Sequence, residues 1–436
     1  MTKIAYISAL AFLLAAPPLY AQDATPIMDK GDVAWMMISS VLVLFMTLPG
    51  LALFYGGLVR SKNMLSVLMQ TTLIACMVMV LWVIYGYSVT FGGGTSPYWG
   101  GLGKLFLSGV TPDSMSATFS AGYVIPEYLF IVFQMTFAAI TPALVIGAFA
   151  ERVKFSAVLL FSGLWVTFSY FPIAHMVWDV SGLIFVMGAI DFAGGTVVHI
   201  NAGIAALIGC LMIGKRIGFG RENMAPHSMV MTMIGASMLW VGWFGFNVGS
   251  NLEANGAATL AMINTFVATA AAVLAWSGLE ALQRGKASML GAASGMVAGL
   301  VAITPACGTV GPLGGIALGV IASGVCYVFV TVVKNRFHYD DSLDVFGIHG
   351  IGGIIGAVLT GVLSAASLGG VKGEGYSIGA QTLIQIEAVA ITIAWTGLVS
   401  FVLFKLIDLT LGLRVDSDSE RQGLDLSAHG ESAYHG

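Results

Sequence analysis

Charge is what this chain has least of. Only 9% of its 436 residues are Asp, Glu, Lys or Arg, 57% are hydrophobic, and the mean hydropathy is +0.90. Soluble domains carry about 25% charged residues, so a chain this poor in charge cannot cover its own surface in water. That excludes a soluble enzyme or binding module and leaves a multi-pass protein of the lipid bilayer. A net charge of −4, with no basic block, gives nucleic acid nothing to bind. The four cysteines (Cys76, Cys210, Cys307 and Cys326) form no CxxC, CxxCH or metal-ligating spacing. They read as packing residues, and no cofactor is expected. Glycine is plentiful at 56 residues. In a membrane, small residues let helix backbones touch, and "GGIALG" (Gly315, Gly319) and "GGIIG" (Gly352, Gly356) present such faces.

The opening "MTKIAYISALAFLLAAPPLYAQDA" has one basic residue, a short apolar core, then small residues and a polar start. This is the pattern of a secretory signal peptide over residues 1–21; the core is short for a retained first span. A helix needs about 20 apolar residues to cross the hydrocarbon layer. Eleven later segments qualify, near 33–58, 65–91, 128–150, 155–174, 192–213, 227–249, 257–281, 287–305, 311–333, 345–366 and 380–411. The eighth is short and Gly-rich. With the mature N-terminus outside, the inner loops hold 13 of the 18 Lys and Arg residues and the outer loops hold 3: Lys30, Lys104 and Lys372. This is the asymmetry of the positive-inside rule. The expected fold is all-α and integral to the inner (cytoplasmic) membrane, with eleven transmembrane helices, N-terminus out and C-terminus in. Residues 22–413 form the body and 414–436 a cytoplasmic tail.

Five spans followed by five more put the second half in the membrane upside down, an arrangement that sets a substrate path at the interface of the repeats. The first span reads G-x3-F-x2-G at Gly50, Phe54 and Gly57, and so does the sixth at Gly242, Phe246 and Gly249. The fifth reads H-x3-G-I from His199, and the tenth reads the same from His349. A 5+5 inverted repeat would therefore bring these two histidines together near the midplane. Of the seven histidines, these are the two expected inside spans; His175 is expected near an outer end. Ionisable residues at membrane depth are functional candidates. The alternative is two separate structural histidines, each bonded to a carbonyl of a neighbouring helix.

The stretches "DFAGGTVVHINAG", "WFGFNVGS", "FAAITPALVIGAFAER", "DVFGIHGIGG" and "GLDLSAHGESAY" resemble the ammonium transporter (Amt/Mep/Rh) family, its bacterial members above all. The resemblance covers nearly the whole mature chain. It implies a homotrimer with one narrow pore per subunit. It also implies an outer vestibule where Trp178, Phe137 and Ser250 recruit ammonium, with Phe133 flanking and Asp191 ordering the site and favouring the cation. Phe137 and Phe246 would stack as a constriction, and His199 and His349 would line the pore beneath. At the tail, with Arg414, Gly423, Asp425, His429 and Tyr434 in the family pattern, it implies docking on the cytoplasmic face and regulation by a PII-type signalling protein.

The chemistry fits these roles. Aromatic faces attract a compact cation by about 2 kcal/mol or more once it is desolvated, and a hydroxyl accepts an N–H. Moving the intact charge through a dry duct costs several kcal/mol, so the economical route separates the proton and passes NH3. K+ has no proton to lose. Each residue also has a plainer role: Trp178 as an interfacial belt residue, Phe137 and Phe246 as packing, Ser250 as a helix-end residue, and Asp191 as an N-cap. Glu387, at apparent membrane depth, is expected to hydrogen-bond a neighbouring helix. The competing functions are an ammonium sensor on the same fold and a membrane redox protein with haem between the two histidines. No enzymatic motif is present in the sequence.

Overall fold

The computed structural model describes residues 26–434 and is built almost wholly of helices. The expected signal peptide lies outside the described residues. Among them, ten helices are long and apolar enough to cross a membrane: α1 Lys30–Leu58, α2 Ser61–Phe91, α3 Glu127–Phe149, α4 Phe155–Val186, α5 Gly195–Ile213, α6 Met229–Gly249, α7 Gly256–Arg284, α9 Pro312–Phe337, α10 Phe346–Leu363 and α11 Ile378–Thr410. The apolar helix α8, Met289–Ile303, has 15 residues. Each segment expected from the sequence falls on one of these helices. The long loop after α2 carries one antiparallel pair of short strands, β1 Met115–Ala117 and β2 Val124–Pro126.

Small residues set how the helices meet. Helix α1 runs antiparallel to α6: Gly57 abuts Ser228 and Thr232, Gly50 abuts Leu239, and Gly242 abuts Met46. The two G-x3-F-x2-G stretches thus pack on one another, and Phe54 and Phe246 both face one internal cavity. Helices α5 and α10 cross at reciprocal glycines. A Cβ on Gly203 would strike the backbone of Gly350, and one on Gly353 would meet the His199 Cβ at 3.2 Å. The glycine four residues beyond each histidine therefore clears room for the other histidine's helix, which is the physical content of H-x3-G.

His175 falls near a helix end, as expected: it lies in the last turn of the stretch Phe171–Trp178 of α4, after which Asp179 is extended, and it is fully buried. Its Nδ1 is 2.6 Å from the Thr90 carbonyl and its Nε2 is 2.7 Å from that of Ser96, so it ties α4 to the end of α2 and the loop beyond. Glu387 is exposed, and no described residue hydrogen-bonds its carboxyl. Helix α11 has 33 residues and is roughly 50 Å long, well beyond a hydrocarbon layer of about 30 Å. A residue nine positions from its N-terminal end therefore sits close enough to the boundary to reach polar surroundings. The buried polar task falls to Gln385, whose Nε2 donates to the carbonyls of Ile190 and Ala357. Cys210, Cys307 and Cys326 are buried as expected, but Cys76 is exposed on the surface of the chain.

The tail packs against the body instead of trailing away. It forms two short helices, α12 Ser417–Gln422 and α13 Leu424–His429. Asp425 accepts from the N–H groups of Leu65 (3.0 Å) and Ser66 (2.8 Å), serving as the N-cap that α2 lacks in its own sequence. Leu424 N–H donates to Asn63 Oδ1 at 2.8 Å. Gly423 has φ 106°, and a side chain there would run into Lys62. Arg414 pairs with Glu420 at 2.9 Å, the His429 ring packs against Phe155, and Tyr434 Oη lies 3.0 Å from His227 Nε2. Beneath the tail, Glu151 binds Arg60 and Arg216, and Asp340 binds Arg216. The fully buried Arg152 donates to the carbonyls of Ala148, Ala150, Gly214 and Asp340, closing the end of α3.

Candidate conduction site

Each histidine sits in a wide, π-type turn at the start of its helix, Gly195–Ile200 for His199 and Phe346–Gly350 for His349. Such turns often mark functional positions. An acid precedes each histidine by eight residues. Asp191 takes the N–H of Gly194, the residue before α5, and the first three of α5: Oδ1 accepts from Gly194 (2.9 Å) and Gly195 (2.6 Å), and Oδ2 from Thr196 (2.8 Å) and Val197 (3.1 Å). Asp341 accepts from Val345 (3.0 Å) and Phe346 (2.8 Å) at the head of α10. A helix start buried without such partners would leave costly orphan donors.

The two rings meet. His199 Nδ1 and His349 Nδ1 are 3.2 Å apart, with ring centroids at 5.3 Å. Both residues are buried, at 1% and 4% exposure. One Nδ1 must donate and the other accept. Two neutral rings therefore present one bare Nε2 and one Nε2–H to their surroundings. His199 Nε2 finds no hydrogen-bond partner among the described residues. The rings border an enclosed cavity of about 10 Å³, whose other walls include Phe54, Leu144, Trp243 and Phe246. That is room for about one water-sized molecule. A haem between the histidines fails on this geometry, because rings bonded to each other leave no gap for a macrocycle.

Aromatic rings lead away from the pair in an unbroken series. Phe246 lies 5.9 Å from His199 and stacks on Phe137 at 4.0 Å and 18°. Phe137 meets Trp178 edge-on at 5.8 Å and Phe133 at 4.9 Å. Trp178 is half-buried, and its indole N–H donates to the Asp191 carbonyl at 3.0 Å. Ser250 Oγ donates to the Phe246 carbonyl at 2.7 Å, which leaves its lone pairs open. Of the residues singled out from the sequence, Trp178, Phe137, Phe133, Phe246, His199 and His349 thus form one continuous path, and Ser250 sits one turn beyond Phe246. Asp191 does not reach the aromatic faces with its carboxylate; both oxygens turn into α5. Sequence reasoning missed two residues. Trp243 stacks on His199 at 5.3 Å and 22°, fixed by a 2.9 Å bond from its Nε1 to Thr304. Its signal was the spacing of three from Phe246, which puts both on one helix face. Asp341 was legible from the repeated D-x7-H.

A family model described as the Ammonium Transporter Family matches residues 34–434. This chain belongs to the ammonium transporter family. It is 48% identical over 421 residues to an ammonium transporter of Aquifex aeolicus, covering 95% of this chain and 96% of the relative. Among solved structures, Saccharomyces cerevisiae Mep2 superposes with a TM-score of 0.81 at 33% identity, covering 90% of this chain and 88% of that one. A structure described as a sensor Amt protein superposes with a TM-score of 0.84 at 26% identity, covering 92% and 98%.

Proposed function

We propose that this chain moves ammonium nitrogen across the cytoplasmic membrane as NH3. NH4+ settles against the faces of Trp178, Phe137 and Phe133, with the Ser250 oxygen accepting one N–H. The stacked pair Phe137–Phe246 bars a hydrated ion. The cation gives up its proton, and the neutral molecule passes to His199 and His349. Their one bare and one protonated Nε2 offer it both a donor and an acceptor, and the bonded pair offers a route for a proton. Asp191 acts by holding the head of α5 and the Trp178 indole, and its negative charge favours a cation nearby.

The observation that carries this reading is the bonded histidine pair at the foot of the aromatic series, in a cavity too small and apolar for a hydrated cation. The reciprocal glycines of α5 and α10, and the paired motifs of α1 and α6, support eleven spans in a 5+5 inverted repeat, with α8 as the short eighth span. The distribution of Lys and Arg supports N-terminus out and C-terminus in. The family supports a homotrimer, and the docked tail supports control by a PII-type protein. The test is current recording on proteoliposomes: an ammonium pulse should evoke a saturable response and an equal K+ pulse none. Equal responses would end the proton-separation reading. A sensor role is the second reading, favoured by the likeness to the sensor Amt structure. It predicts high-affinity ammonium binding with negligible flux.

A further inference from the structure

A second cavity lies far from the rings, between the tail and the body. It encloses about 160 Å³ and is lined by Arg60, Lys62, Ile217, Glu222, Glu420 and Arg421. Three chain segments build it: the turn before α2, the loop after α5, and α12 of the tail. Both carboxylates on its wall are poorly placed to neutralise it. Glu420 is taken up by Arg414 and by the Ile217 N–H, which it accepts at 2.6 Å. Glu222 is 54% exposed and stands 4.0 Å from the Arg60 guanidinium, beyond hydrogen-bond range. Arg60 has its Nε and one Nη on Glu151, leaving the second Nη towards the cleft. Lys62 spends one N–H on the Arg421 carbonyl, and neither Lys62 nor Arg421 pairs with an acid among the described residues. The cleft therefore brings together three cationic residues, of which Arg60 is paired with Glu151 while Lys62 and Arg421 have no acid partner among the described residues.

We propose that this cleft binds a phosphoryl anion and that its occupancy strengthens the tail's existing hold on the body. Two guanidinium groups and an ammonium around one small polar space match the several acceptor oxygens of a phosphoryl group better than a single carboxylate. The volume admits one such group with water. An anion bridging Lys62 and Arg60 on the body to Arg421 on the tail adds a charged contact to the hydrogen bonds that already join the two sides of the cleft, from Lys62 to the Arg421 carbonyl and from the Ile217 N–H to Glu420. The site deepens the regulatory reading of the tail and rests on it. That reading is tested separately, by deleting residues 414–436 and measuring transport.

The phosphoryl group can come from a soluble anion or from a lipid headgroup, and the experiment separates the two. The full chain is placed in nanodiscs of phosphatidylcholine alone or with phosphatidylglycerol. Inorganic phosphate and ATP are titrated by calorimetry, and tryptic cleavage after the exposed Arg421 is followed in parallel. Saturable binding in phosphatidylcholine discs, weakened at least tenfold in Lys62→Gln/Arg421→Gln and by raised salt, supports a soluble ligand. Protection of Arg421 that appears only with phosphatidylglycerol, and is lost in Lys62→Gln, supports the headgroup. Arg421→Gln alone, on an exposed side chain, guards against a folding defect and should weaken binding several-fold. Absence of both binding and protection, or binding unchanged in the double variant, overturns the proposal, including the case where only an acidic protein segment protects the tail.

Discussion

The heads of α5 and α10 repeat one construction under different electrostatics. Each has an acid, a gap of seven residues, a histidine, and a glycine four further on. At α5 the acid has four backbone N–H groups to itself, and no Lys or Arg pairs with it among the described residues. Above its histidine lie the stacked aromatic rings, with Ser250 one turn beyond Phe246. At α10 the acid holds two N–H groups and shares its surroundings with the Lys334–Asp344 ion pair. One duct can thus have a cation-attracting end and a charge-balanced end while its middle stays symmetric. On the function proposed above, recruitment belongs to the Trp178 end, and the other end is left to water and fixed ions.

The sharpest way to break the comparison is to remove each acid. Asp191→Ala orphans four buried donors, at about 1–3 kcal/mol apiece before any relaxation. The net loss should be on the order of 4 kcal/mol or more. Asp341→Ala orphans two and should lose about half as much. Thermal unfolding in detergent measures both. Equal losses would show that the two heads are not built alike.

Exchanging the histidines comes next. A carboxylate in the duct compensates part of the cost of desolvating K+, so His199→Asp should raise K+ current at least about tenfold, for each 1.4 kcal/mol recovered. His349→Asp, further from the aromatic entrance, should raise it less. Proteoliposome currents decide this, and unchanged K+ exclusion in both variants would remove the rings from selectivity. Trp178→Leu is milder. It loses one cation–π face of about 1–2 kcal/mol, so half-saturation by ammonium should rise about tenfold with the maximal current nearly kept. An unchanged concentration dependence would make Trp178 a belt residue.

Much of this was legible because the forces involved are local or periodic. The spans follow from hydropathy, and the histidine pair from a repeated string. His175 lies near a helix end, as "HMVWD" suggested, but the two carbonyls that take up its ring belong to the distant Thr90 and Ser96, which no local pattern announces. Glu387 was misread because helix length, which sets its distance from the boundary, emerges only when α11 is seen whole. Trp243 carried a local signal, its spacing from Phe246, that was not used, whereas the cleft beneath the tail depends on tertiary approach between segments hundreds of residues apart, which no local pattern carries.

The finest test separates the carboxylates of the tail side by pH. Burial alone would raise Glu151 and Asp340, yet Arg216 with Arg60 beside the first, and Arg216 with Arg152 beside the second, hold both below the usual carboxylate range. Their stabilisation is present above the unfolded values near 4 and is lost as pH falls through the folded ones. Asp341 runs the other way. Burial, then Asp344, pushes it up to about 6. Its folded state favours the proton, so its contribution is complete below about 4 and drains away as pH rises towards 6. Asp341→Asn keeps a neutral side chain at every pH. The variant should therefore gain stability relative to the parent between about pH 4 and pH 6, while both share the same acid-side collapse from Glu151 and Asp340. Unfolding midpoints taken across that range give the answer directly. Parallel curves would mean that Asp341 is ionised throughout, and the two helix heads would then differ in partners alone and not in charge.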